Sequence, residues 1–187
     1  EFLKETLNEQ QRKNMKRSRP KILLATNLDD AMAMYEKYKS NLLGVISDVG
    51  FCEHRGGKPE EEKLDAGLNL VRHIKADDPK MPILLQSSQD SICPVAEELG
   101  VGFLRKYSKT LMIQLYDYIK EEFAFGDFIF RDADRVEYGR AANLKELEVL
   151  MREIPEDILL ANTSKNMLSK WFMARGLFTL GAKFKKV

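Results

Sequence analysis

The chain has 187 residues, of which 44% are hydrophobic and 32% charged, with a formal net charge of +1. That length suits one domain with an appendage or two small domains, and the near-neutral balance names no partner from bulk charge alone. No apolar run approaches the ~20 residues needed to span a bilayer, no signal peptide is visible, and Cys52 and Cys93 are too few for a disulfide framework, which points to a reducing, cytoplasmic setting.

Residues 1–17 are polar, rich in good helix formers and free of Gly and Pro, so a helix is expected there, ended by Pro20. Lys21–Ala25 (KILLA) reads as a buried strand. Asn27 or Asp29 can cap a helix running through Ser40, with Ala31, Met34, Tyr35 and Tyr38 on one face. Leu42–Ser47 is the next strand and delivers Asp48. Phe51–Glu62 reads as a charged loop broken by Gly56, Gly57 and Pro59. Lys63–Lys75 is an amphipathic helix with Leu64, Leu68, Val71 and Ile74 facing inward. Pro82–Gln86 is a third strand, ending in Ser87-Ser88. A short helix near Val95–Leu99 stops at Gly100, which suits a left-handed cap. Val101–Arg105 is a fourth strand, ending in Lys106, and Leu111–Phe123 a further helix burying Leu111, Leu115, Tyr118, Ile119 and Phe123.

Strand and helix alternate strictly up to about Gly126, which argues an α/β domain with a parallel sheet. The pattern then changes. Residues 128–140 read as a hairpin around Asp132-Ala133-Asp134. Leu144–Ile154 reads as a helix capped by Asn143, with Leu144, Leu147, Leu150 and Met151 inward. Pro155 opens another segment, a helix follows over Ser164–Arg175, and a short one closes the chain. Residues 126–187 thus form a small α+β unit.

Asp48, Ser87 and Lys106 stand at the ends of three successive strands. In open α/β sheets ligands bind in the crevice at those ends. A carboxylate there can attack phosphorus and form an acyl phosphate, with the amine and the hydroxyl holding phosphoryl oxygens. Each residue alone is commonplace in a loop after a strand; the three together, in this order, favour function.

At these residues the chain resembles the receiver domain of two-component response regulators over about Lys21–Phe123. Asp48 in "GVISDVG" falls at the phosphoacceptor position, Ser87 in "PILLQSS" at the switch hydroxyl, Lys106 in "GFLRK" at the phosphoryl-contacting lysine and Phe103 at the switch aromatic. Asp65-Ala66-Gly67-Leu68 resembles the start of the third receiver helix. The resemblance implies a flavodoxin-like fold, a Mg²⁺ ion held by Asp48 and the carbonyl of Gly50, a histidine kinase as phosphodonor, and a regulatory rather than enzymatic role.

Two departures qualify it. The family carries an acidic pair at the end of its first strand. From a first strand's end to a third strand's end takes roughly 40–45 residues at ordinary element lengths, and Asn27 to Asp48 leaves room for one helix and one strand. Lys21–Ala25 therefore reads as strand two, 1–19 as the tail of helix one and a basic linker, and 20–125 as the receiver-like domain. The first strand and the remaining acidic metal ligands then lie upstream, in a longer polypeptide. The loop after Asp48 is also long and charged, and Tyr107 stands where a proline is usual. Hence a non-phosphorylated pseudo-receiver, acting as an interaction or dimerisation module, is the alternative.

The wider set "GVISDV", "LLQSS", "FGDFIFRD" and "SKWFMARG" is similar to receiver-like regions upstream of phosphoenolpyruvate synthase or pyruvate phosphate dikinase-type proteins; it implies context only. Other features have blander readings. Cys52-x-His54 with Cys93 matches no common zinc spacing. His73 reads as a surface histidine, and Gly56-Gly57-Lys58 lacks the flanks of a phosphate loop. After Asp157 the chain carries only basic charges, Lys165 to Lys186. Nucleic-acid contact there, by Trp171, Phe172 and Met173, is the minority reading against an aromatic face buried in a core.

Overall fold

The computed structural model describes residues 21–163 and 166–185, so the helix expected over 1–17 lies outside the described residues. The chain divides into two units, Ile22–Tyr118 and a second that contains Ile119–Val187.

The first unit is a mixed α/β structure. Its first helix, α1, spans Leu28–Tyr38. Asn27 caps it from extended backbone (φ −150°), its side chain accepting from the Asp30 amide at 2.8 Å. Asp29 and Asp30 in the first turn and Lys37 in the last suit the helix dipole. Then follow β1 (Val45–Asp48), β2 (Phe51–Cys52), β3 (Glu62–Lys63), α2 (Ala66–Asp77), β4 (Ile83–Ser87), α3 (Ile92–Glu98), β5 (Gly102–Arg105) and α4 (Leu111–Glu122). Strands β1, β4 and β5 form a parallel sheet in the order β1-β4-β5. The middle strand is buried on both faces, with Ile83, Leu84 and Leu85 at 1% exposure or less, as parallel strands under helices usually are. On one side Leu70, Val71 and Ile74 of α2, Tyr35 of α1 and Ala96 of α3 join the same core. The Tyr35 hydroxyl keeps a polar exit, donating to Asp77 Oδ2 at 2.8 Å. Helix α3 ends as Gly100 (φ 64°) turns left-handed, with Gly100 N bonded to Glu97 O and Val101 N to Ala96 O, both at 3.0 Å.

Several expectations need correction. Lys21–Ala25 is not a strand: it forms no regular element, and Ile22 and Leu24 are 91% and 78% exposed. Among the described residues β1 pairs with β4 alone, so the segment has no ladder to join, and an unpaired strand has no reason to hold. Phe51–Glu62 is not wholly loop, because β2 and β3 pair antiparallel, Phe51 with Lys63 and Cys52 with Glu62. This hairpin takes Lys63 from the helix expected there, α2 starts at Ala66, and Leu64 is left 74% exposed. In α4 only Phe123, just past its end, is buried among the five residues expected inside; the other four are half-buried.

The second unit opens with an antiparallel hairpin, β6 (Phe128–Arg131) and β7 (Glu137–Ala141), with a bulge between Phe130 and Arg131. Four helices follow: α5 (Leu144–Glu153), α6 (Glu156–Thr163), α7 (Met167–Ala174) and α8 (Phe178–Phe184). Asn143 caps α5 through the amides of Lys145 and Glu146, both at 3.1 Å. Leu147 is buried beneath α5, whereas Leu144, expected inside, is 44% exposed because it opens the helix next to its cap. Phe128, Phe130, Leu168, Trp171 and Phe172 fill the core, and their rings meet edge to face. Trp171 and Phe172 are therefore core residues, at 1% and 3% exposure, and are not available to stack on bases. Trp171 donates its indole N–H to Gly126 O at 3.0 Å. Arg175 lies over the Trp171 ring at 3.6 Å and donates to Gly126 O at 2.7 Å and Ala124 O at 3.1 Å. Burial lowers the Arg175 pKa to about 10, so it stays charged at neutral pH. Among the described residues no helix is long and apolar enough to cross a membrane.

Candidate functional site

The parallel register brings three strand ends together. Asp48 is the last residue of β1 and lies opposite Gln86, while Ser87, last of β4, lies opposite Arg105 of β5. The chain continues from β5 with Lys106, whose amide donates to Ser87 O at 2.8 Å. This bond continues the sheet ladder by one residue and turns the lysine toward β1. Lys106 Nζ then reaches Asp48 Oδ1 at 3.0 Å, with side-chain exposures of 32% and 49%.

Beneath Asp48 the α2 start is fitted closely. Gly67 donates its amide to Val49 O at 2.8 Å. A β-carbon on Gly67 would collide with the carbonyl oxygen of Asp48 and lie 2.9 Å from Val49 Cα. Only glycine allows this approach. The contact holds the backbone that carries Asp48 while leaving its carboxylate in solvent.

A shallow cleft of about 160 Å³ adjoins the pair, lined by Val49, Gly50, Leu64, Gln86, Ser87, Ser88, Gln89 and Lys106. Ser87 is buried (8% exposed), and its Oγ accepts from the Gln89 amide at 3.1 Å, which leaves the hydroxyl proton available. Gly50 lies at the cleft's edge, backed by the β3 end. Phe103 packs against the hydrophobic core rather than lining the cleft. The structure thus brings Asp48, Lys106, Ser87 and Gly50 to one place and holds Phe103 below it. Gln86 and Gln89 were not singled out from sequence, although an amide inside the apolar run Pro82–Ser87 was a signal: such a residue needs a polar outlet.

Among the described residues no group of three His, Cys, Asp or Glu could hold a metal ion. The residues lining the cleft include no carboxylate, and Asp48 beside it is already paired with Lys106. Mg²⁺ asks for near-octahedral oxygen ligation, and these residues alone do not make up such a site. His54 is engaged elsewhere: its Nδ1 meets Asp29 Oδ2 at 2.8 Å, and that hydrogen bond raises its pKa above 6.5. Arg55 pairs with Asp30 at 2.6 Å beside it. These contacts tie the loop after β2 to the first turn of α1.

Comparison with family models, with curated proteins and with solved structures gave no match. The reading of this site rests on its own geometry.

Proposed function

We propose that the first unit is a receiver-like signal-transduction module of flavodoxin-like type, with Asp48 as phosphoacceptor, regulating a larger protein in the cytoplasm. The observation that carries this is the 3.0 Å pair between Lys106 Nζ and Asp48 Oδ1 across two parallel strand ends, with Ser87 between them in the sheet. In such a reaction an Asp48 oxygen attacks phosphorus as the bond to the donor's leaving group breaks, and the leaving group departs with that electron pair. The product is an acyl phosphate. The Lys106 ammonium offsets the added charge, and the Ser87 hydroxyl donates to a phosphoryl oxygen. A histidine kinase or a small acyl phosphate is the class of donor. The test is intact mass after incubation with acetyl phosphate, with and without Mg²⁺. One phosphoryl group added to the parent chain and none to Asp48→Asn supports the proposal; labelling that survives the substitution overturns it.

The second reading is a pseudo-receiver that docks or dimerises without phosphorylation. It is favoured by the cleft's lining, which among the described residues offers no cluster of acids for a metal ion. Tight, Mg²⁺-dependent binding of beryllofluoride would count against it.

A further inference from the structure

A second concavity, of about 340 Å³, borders the first and shares Ser88 and Lys106 with it. Its other walls are Arg105, Tyr107 and Ser108, and no carboxylate lines it. It is an open surface groove rather than an enclosed pocket. Its chemistry is two cations, two hydroxyls and one aromatic ring.

Both cations are ion-paired, Lys106 with Asp48 at 3.0 Å and Arg105 with Asp90. Arg105 Nε meets Asp90 Oδ1 at 3.2 Å, with both side chains more than 60% exposed, and an exposed pair of this kind yields readily to a stronger anion. Arg105, Lys106 and Ser88 all line the groove with Ser108, whose Oγ also accepts from the Thr110 amide at 3.2 Å. Several donors lining one groove match the three terminal oxygens of a phosphomonoester better than a two-oxygen carboxylate.

The ring has a separate peculiarity. Tyr107 takes left-handed backbone (φ 65°), in a turn where Ser108 N donates to Arg105 O at 3.4 Å. A non-glycine residue in that conformation is costly, and at 91% exposure no packing of the side chain offsets the cost. The turn projects a flat apolar face at the rim of a cationic groove. Planar groups stack on such a face.

We propose that this groove binds a phosphomonoester whose alcohol part is a planar ring. The phosphate sits between Arg105 and Lys106, and the ring lies against Tyr107. The proposal does not depend on Asp48 accepting a phosphoryl group. Asp90 and Asp48 each pair with one of the two cations, so a bound phosphate competes with both carboxylates.

The experiment titrates the full chain with phenyl phosphate and, separately, with inorganic phosphate, in low-salt buffer without Mg²⁺, following amide chemical shifts. Phenyl phosphate is expected to bind about tenfold more tightly than phosphate, the ring supplying the difference, with the largest shifts at Tyr107 and Ser108. Arg105→Ala and Tyr107→Leu, both at exposed positions, should each weaken it about fivefold or more. Asp48→Asn should bind equally or more tightly, because a competing carboxylate is removed. Equal affinities for the two ligands, or phenyl phosphate binding untouched by Arg105→Ala, overturns the proposal. Loss of acetyl phosphate labelling would speak only against Asp48 as acceptor.

Discussion

Gly67 donates its amide to Val49 O at 2.8 Å, and the same approach leaves no room for a β-carbon beneath the Asp48 carbonyl. The neighbouring atoms are backbone, at the end of a strand whose partner β4 buries four of its five residues, so they cannot step aside without moving the sheet. Gly67→Ala should therefore cost about 2–3 kcal/mol and lower the melting temperature by about 5–10 °C. Thermal unfolding checks this. A shift under about a degree would mean that α2 slides easily and does not fix the strand end.

The Asp48–Lys106 pair is a poor candidate for a stabilising role. Both side chains are a third to a half exposed, and pairs of that kind contribute about 0–1 kcal/mol. Asp48→Asn and Lys106→Met should each leave urea-unfolding stability within about 1 kcal/mol of the parent, while the proposed function predicts that Asp48→Asn takes up no phosphoryl group. A loss of several kcal/mol in either variant would make the pair structural.

His54 supplies a pH test. Its pKa is raised above 6.5 by the hydrogen bond to Asp29 and that residue's charge. A raised pKa means the folded form binds the proton more tightly than the unfolded one. The stabilisation is complete below about pH 6.5 and is lost as pH rises through the folded value. The loop after β2 should thus be held more firmly to α1 on the acid side of neutrality. NMR titration of the imidazole should place the midpoint above 6.5 and return it toward 6.5 in Asp29→Asn. A parent midpoint at or below 6.5 would remove the clasp; with two histidines in the chain, a His73→Gln variant assigns the signal.

Arg175 should resist conservative replacement. It stacks on Trp171 and reaches three carbonyls, Ala124 O, Trp171 O and Gly126 O, with a planar fork. A lysine can satisfy one acceptor and stacks less well. Arg175→Lys should cost about 1–2 kcal/mol, and Arg175→Ala about 2–3. If lysine proves as good as arginine by denaturant unfolding, the charge rather than the fork is what the unit uses.

Local signals carried well from sequence to structure. Asn27 and Asn143 cap helices because an amide oxygen beside a first turn has amides to accept. Gly100 ends α3 because glycine alone enters the left-handed region cheaply. Asp48 and Lys106 were placed at strand ends by the apolar runs before them. What failed depended on partners distant in sequence. Lys21–Ala25 is as apolar as a strand, but pairing needs a neighbour. Leu64 sits at the helical spacing of Leu68, yet a two-residue ladder claims Lys63 and ends the periodicity first. The groove at Arg105 and Tyr107 was invisible because it depends on a left-handed turn at a tyrosine, which sequence rules assign to glycine or asparagine.

Trp171 is the chain's sole tryptophan, and it is sealed in the second unit with Phe128, Phe172 and the Arg175 guanidinium around it. The first unit, Ile22–Tyr118, has tyrosines but no tryptophan. Indole emission, excited at wavelengths tyrosine does not absorb, is therefore a private reporter of one half of the molecule, while circular dichroism sees both. If the two signals melt at different temperatures, the halves unfold separately, and a ligand added to the Asp48 half should displace one trace and leave the other in place.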